Sequence, residues 1–233
     1  MTKNVAHQPL PRIAVLGGTG KEGSGLALRW AHAGYQIVIG SRDPERARVT
    51  AAQINNSTGA RRAFGDTILA AAHGADIAVL AVPYSAQLSA LADVKDALQG
   101  KILVDVTVPL VPPQVGRVQL PVGGSAVVVA QQLLGDSVRV VSAFQNVSAE
   151  HLNHLGTSID CDVLVCGDDR AAREAVIALA QAAGMRAYHA GPLANSAAAE
   201  ALTSILVTIN RHYKIKHSGI RITGIPDSTG LQA

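Results

Sequence analysis

Short apolar runs recur along this chain, each parted from the next by a helical stretch, and that alternation restricts its folds more than any other feature. Arg12–Leu16, Gln36–Gly40, Asp76–Ala81, Lys101–Val106, Val138–Ala143, Asp162–Cys166 and Met185–His189 read as strands. Glu22–Ala33, Ser85–Leu98, Val122–Leu134, Asp169–Ala183 and Ala194–Arg211 read as helices, with Ile220–Thr223 as a last short strand. Asp43-Pro44 has the form of an N-cap with proline at the first helical position, opening a helix to about Asn55. The stretch from Asn55 to Asp76 carries a weaker signal. Strands alternating with helices of about 10–15 residues predict a parallel sheet covered on both faces. The strands are continuously apolar, as burial on both sides requires.

Composition agrees with a folded body. At 233 residues and 48% hydrophobic content the chain holds a core without staples, and two cysteines exclude a disulfide scaffold. Its apolar runs fall far short of the roughly 20 residues that span a bilayer, and the N-terminus lacks the apolar stretch of a signal peptide. A cytoplasmic protein is expected. Net charge is only +3 and aromatic residues make up 3%, so the basic stripe and stacking rings of a nucleic-acid binder are missing. Cys161 and Cys166, five apart, match neither a redox pair nor a zinc half-site and read as buried reduced thiols, on opposite faces of a strand.

The first strand ends in Leu16-Gly17-Gly18-Thr19-Gly20-Lys21-Glu22-Gly23, which contains G-x-G-x-x-G as Gly18, Gly20 and Gly23. Following a strand and opening a helix, it meets the context required of a dinucleotide fingerprint. Gly18 is expected to make the tight turn, Gly20 to admit the pyrophosphate and Gly23 to let helix and strand pack closely. The helix N-terminus presents unpaired N–H groups to the phosphates. A Rossmann-type doubly wound parallel sheet with a smaller C-terminal α/β lobe follows.

The second strand selects the dinucleotide. NAD-preferring sites carry Asp or Glu about 20 residues on, bonding the ribose 2′-OH. Here the strand tip reads Gly40-Ser41-Arg42, and Asp43 serves better as the helix cap. A hydroxyl and a guanidinium suit a 2′-phosphate, with Arg46 one turn further on in reach of the same group. Arg48 fits a solvated helix face. NADP(H) is the expected cofactor. Val82-Pro83-Tyr84 and the stiff Thr107–Pro113 segment follow the fourth and fifth strands, at the carboxyl ends where ligands lie in open α/β sheets.

No Tyr-x-x-x-Lys pair, His–Asp or Lys–Asn dyad or G-x-S-x-G elbow stands out, and His151 with His154 lacks the further ligands of a metal site. No catalytic side chain and no metal are assigned. Chemistry then rests on positioning two ligands, as in hydride transfer between cofactors.

At this point the chain resembles the NADPH-dependent F420 reductase (F420H2:NADP oxidoreductase) family over about residues 12–223. The marks are Ile13–Gly20, Gly40-Ser41-Arg42, Asp76–Leu80, Pro109-Leu110-Val111-Pro112, Val141-Ser142-Ala143, Cys166-Gly167-Asp168-Asp169 and Ala190-Gly191-Pro192-Leu193. The resemblance implies NADP contacts from Thr19, Gly20, Lys21, Glu22, Ser41, Arg42, Arg46, Val82, Pro83, Tyr84, Val111 and Ala149. It also implies a deazaflavin, coenzyme F420, lying against Pro109, Leu110, Phe144, Gln145 and Asn146. It further implies a homodimer paired through the C-terminal helix. The chain then divides into an NADP-binding Rossmann domain, 1–145, and a smaller lobe, 146–233, with the deazaflavin pocket and the dimer contacts.

The family's archaeal members often carry a histidine-containing stretch where this chain has Phe144-Gln145-Asn146, its loop after the fifth strand is longer, and residues 224–233 match nothing in the family. Phe144–Ala149 also resembles the flavin-using domains of metalloreductases, so a flavin acceptor stays open. A non-catalytic NADP(H) sensor is the other alternative. Too few residues follow Gly191 for the long helical domain of imine reductases and hydroxyacid dehydrogenases.

Overall fold

The computed structural model describes residues 9–225. In chain order they form β1 (Ile13–Leu16), α1 (Lys21–His32), β2 (Ile37–Ser41), α2 (Pro44–Thr58), β3 (Ala63–Thr67), α3 (Ile68–His73), β4 (Ile77–Leu80) and α4 (Gln87–Val94). Then follow β5 (Ile102–Asp105), α5 (Ala126–Leu134), β6 (Arg139–Ser142), α6 (Ala149–Leu152), β7 (Val163–Gly167), α7 (Arg170–Ala182), β8 (Ala187–His189) and α8 (Ser196–Tyr213).

The strands make one eight-stranded sheet in the order β3-β2-β1-β4-β5-β6-β7-β8. The order reverses between β1 and β4, which opens a crevice at their carboxyl ends. Successive residues of β1 point to opposite faces. Ile13 and Val15 join a core built with α1, α2 and α7, whereas Ala14 and Leu16 join a second core built with α3, α4 and α5. Both faces are therefore covered, as the continuous apolar runs required.

The structure departs from the expected elements in several places. β6 and β7 pair antiparallel; their connection holds only the four-residue α6 in place of the crossover helix usual between parallel strands. The weak stretch after Asn55 forms β3 and α3; β3 is an edge strand in which only Ala63 is buried, so its pattern was faint. The helix expected from Val122 begins at Ala126, since Gly123 and Gly124 both hold positive φ. Ser85–Leu98 is helical only in its middle, α4 being flanked by single 3₁₀ turns. Ile220–Thr223 forms no strand. Its backbone instead clasps the residue before β7, the Asp162 N–H donating to the Ile220 carbonyl at 2.8 Å and the Ile222 N–H to Asp162 Oδ2 at 2.6 Å. Cys161 precedes β7 rather than lying in it, and both cysteines are buried free thiols.

Candidate functional site

β1 delivers the glycine turn to the crevice, but the roles within it differ from the expected ones. Gly17, not Gly18, takes the left-handed conformation, with φ 82°. A Cβ on Gly17 would stand 2.6 Å from Val82 Cγ1 and 2.9 Å from the Ala81 carbonyl. Gly18 instead allows close packing, since its Cβ would meet the Val15 carbonyl at 2.8 Å and Ile39 at 3.1 Å. The Gly17-Gly18 doublet was the only signal, and sequence alone does not say which member turns. Gly23 meets expectation: a Cβ there would lie 2.9 Å from Gly18 Cα and 3.1 Å from Ala81 Cβ.

Gly20 is different. Its φ of −78° suits any residue, and a Cβ would touch nothing nearer than the Gly17 carbonyl at 3.6 Å. The protein leaves that space open. Gly20 is also the N-cap of α1 and makes no side-chain cap, so the first amides of the helix are left for a ligand.

This turn borders a cavity of about 390 Å³ that brings together Thr19, Gly20, Ser41, Arg42, Arg46, Val82 and Pro83. Ser41 is buried and accepts the Asp43 N–H at 3.1 Å, which leaves its own proton to donate. Asp43 caps α2 by accepting the Glu45 and Arg46 N–H groups at 3.0 and 3.3 Å. Among the described residues no ion pair engages the Arg42 or Arg46 guanidinium, while Arg48 pairs with Glu45 on the outer helix face. The site thus ends in two available cations over a hydroxyl, which fits the 2′-phosphate of NADP. Ala86 and Ser89 on the far wall were not anticipated.

The remaining residues sit around this cavity. Tyr84 opens the 3₁₀ turn beyond Pro83, half-buried. Lys21 is exposed, and its carbonyl accepts Asn153 Nδ2 at 2.8 Å, which also donates to the Ala149 carbonyl at 2.7 Å. That amide ties α6 to the glycine turn. Glu22 is partly exposed by surface area, yet its carboxyl is desolvated; burial, followed by the charge of Asp105, pushes it up to about 8. Val111 is 42% exposed on the loop after β5 and does not line the cavity.

At the end of β5, Asp105 is fully buried. It accepts Gln87 Nε2 at 2.6 Å, the Thr107 N–H at 2.9 Å and the Thr107 hydroxyl. Desolvation still pushes its carboxyl up. Pro109 is buried and Leu110 half-buried beyond it. Gln145 Nε2 reaches back to the Asp105 carbonyl at 2.8 Å, joining the ends of β5 and β6.

Phe144 is wholly buried with φ 74°, a conformation a bulky residue rarely holds, and its ring meets Trp30 edge-on at 5.9 Å. That strained turn places Gln145 and Asn146 on a second, smaller cavity of about 150 Å³, beside Ser148, Thr203 and His217. Gln145 Oε1 and Asn146 Oδ1 are buried without a hydrogen-bond partner among the described residues. Such orphaned acceptors are costly unless a ligand or water meets them.

Comparison with known proteins agrees with this geometry. The family described as NADP oxidoreductase, coenzyme F420-dependent, matches residues 12–109. The F420-dependent NADP reductase of Methanothermobacter marburgensis is 41% identical over 224 residues, covering 93% of this chain and 100% of that protein. The F420-dependent NADP reductase of Methanocaldococcus jannaschii is 41% identical over 92% of this chain and 99% of its own length. A solved protein from Arthrobacter sp. FB24, provisionally titled an F420-dependent NADP reductase, superposes with a TM-score of 0.77 at 26% identity, covering 92% of this chain and all of that one. The chain belongs to the F420-dependent NADP reductase family.

Proposed function

We propose that this protein transfers hydride between NADP(H) and coenzyme F420. The observation that carries the reading is the dinucleotide cavity closing on Ser41, Arg42 and Arg46, with the nearby carboxylate of Asp43 already spent as a helix cap. When bound, NADPH supplies the hydride and the deazaflavin ring accepts it. Gly20 and the α1 amides hold the pyrophosphate, and Arg42 with Arg46 holds the 2′-phosphate. Val82, Pro83 and Tyr84 line the path toward the nicotinamide, with Ala149 beside it and Val111 on the exposed loop after β5. Pro109, Leu110, Gln145 and Asn146 receive the deazaflavin, and Phe144, buried against Trp30, sets the turn that presents the last two. The orphaned oxygens of Gln145 and Asn146 support that placement, since a pyrimidinedione edge offers an N–H donor.

The same reading assigns residues 1–145 to NADP binding and 146–233 to the deazaflavin side and subunit pairing. A homodimer is supported by apolar side chains left exposed on the loop after β5 and on α8, among them Leu120, Val122, Ile205 and Tyr213. Loop and helix form one surface, because Thr208 Oγ1 donates to the Gly116 carbonyl at 2.9 Å. Two unpaired thiols fit a reducing, cytoplasmic setting.

The test is spectroscopic. Protein, NADPH and F420 are mixed and the deazaflavin absorbance followed, with FMN and FAD as competing acceptors. Loss of the oxidised F420 band at a rate far above that of either flavin bears out the reading. Faster reduction of a flavin replaces F420 as the acceptor.

A further inference from the structure

Ser148 Oγ and His217 Nδ1 stand 2.7 Å apart, although 69 positions separate them. The other ring nitrogen of His217, Nε2, faces Glu150 Oε2 at 3.6 Å. The His151 ring lies against the same imidazole, tilted by 45°, with ring centroids 4.3 Å apart. Backbone at His217 is left-handed, φ 65°, and is held there by the next residue: the Ser218 N–H donates to Asn210 Oδ1 at 3.1 Å, and its hydroxyl to the Leu206 carbonyl at 3.3 Å.

Ser148 and His217 both line the 150 Å³ cavity that also takes in Gln145 and Asn146. That volume is below the roughly 300–1,000 Å³ of a pocket that encloses a whole ligand and leaves room for one edge of a ring.

We propose that Glu150, His217 and Ser148 form a proton relay opening into this cavity, and that Ser148 Oγ exchanges the proton that accompanies hydride transfer to and from the deazaflavin. The proposal rests on the function argued above. In the reducing direction, the C4–H bond of NADPH breaks with its electron pair, which forms a C–H bond at C5 of the deazaflavin. NADPH is thereby oxidised and the deazaflavin reduced, and ring nitrogen N1 takes up one proton. Ser148 Oγ gives that proton and recovers one from Nδ1–H of the His217 ring, while Nε2, on the Glu150 side, takes one up from water, to which the His217 side chain keeps 20% exposure. In the oxidising direction every transfer reverses.

The two imidazoles divide the work. Burial, ahead of the charge on His217, pushes His151 down, and Arg29 and His154 act in the same sense against the opposing pull of Glu150. His151 is thereby biased toward its neutral form beside the His217 ring. The titratable groups set against His217 are Glu150 and His151, both on α6; Arg29 and His154 stand behind His151.

The test uses the full chain with Ser148→Ala and His217→Gln. F420 affinity, read by quenching of its fluorescence, should stay within about 3-fold of wild type in both variants. Single-turnover reduction of F420 should slow about 100-fold, the lower range of general acid catalysis, with the largest loss on the acid side and a flatter pH profile than that of the wild type. Added imidazole should restore much of the rate in His217→Ala. In the wild type, the ¹⁵N signals of the His217 ring should move on F420 binding. Ser148→Ala, which removes one oxygen, keeps the test usable should His217→Gln fail to fold. A wild type active with F420 beside variants of unchanged rate and pH profile overturns the relay alone, as does a loss of affinity with the profile intact. No reduction of F420 by the wild type at any pH overturns the function, and the relay falls with it.

Discussion

The Glu200 carboxylate accepts the backbone N–H groups of Ala126 at 2.8 Å and Val127 at 3.2 Å, so a side chain of α8 caps α5 across 74 positions of sequence. Nearby, Ser125 Oγ and Ser196 Oγ are 2.7 Å apart, and Gln87 Nε2 bridges the Ala126 carbonyl to Asp105. These bonds tie α8 and α5 to the end of β5, from which the Thr107–Pro113 loop departs. The loop after β5 is thereby anchored by a buried polar strut.

That strut predicts an unusual pH dependence of stability. Burial, offset in part by the two N–H groups, pushes Glu200 up to about 7, and burial pushes Glu22 up to about 8. A raised carboxyl pKa means the folded state holds the proton more tightly than the unfolded chain. Stability is then full below the unfolded value near 4.5 and falls as pH rises through about 7 and about 8. For Glu200 the fall is on the order of 3 kcal/mol, at about 1.4 kcal/mol per pH unit. Urea midpoints of the ligand-free protein between about pH 5 and 9 check it, and Glu200→Gln should flatten the slope.

Arg42→Ala should weaken NADPH binding about 10- to 100-fold and leave NADH binding almost unchanged. A charge-assisted bond to a phosphate contributes roughly 1.5–3 kcal/mol, and only NADPH carries that phosphate. Calorimetric titration with both nucleotides decides it; equal losses would remove the 2′-phosphate from this place.

Gly20 and Gly17 should fail in opposite ways. Gly20→Val adds atoms to open space, so the fold should keep its circular dichroism and melting temperature while NADPH binding disappears. Gly17→Ala forces a Cβ against Val82 and the Ala81 carbonyl at positive φ, and should lower stability by about 1–3 kcal/mol. Thermal melts beside binding isotherms separate the two.

Arg29 is buried on α1 and donates to five backbone carbonyls, those of Leu152, Ala183, His151, His154 and Thr157, at 2.9–3.1 Å. It holds the α6 segment onto the dinucleotide half. Arg29→Met orphans those carbonyls and should cost about 3 kcal/mol or more. Hydrogen exchange should show residues 152–157 losing protection before the sheet does.

Much of this architecture was legible because it rests on local pattern. Unbroken apolar runs such as Ile77–Leu80, the glycine turn after Leu16 and the Asp43-Pro44 cap each act within a few residues, and each stands where expected. β3 was faint because an edge strand needs little apolar surface, and the antiparallel β7 was hidden because strand direction depends on the length and content of a connection.

The sequence by itself determined the alternating α/β fold, the dinucleotide turn and the basic tip of the second strand, since short-range sterics and hydrophobic periodicity encode all three. Only the tertiary structure decided which glycine turns, where Glu22, Asp105 and Glu200 lie relative to one another, and that Ser148 meets His217. Those are contacts between residues dozens of positions apart, and no local propensity records them. They exist because packing two covered faces onto one sheet brings helix α8 against α5 and the segment after β6.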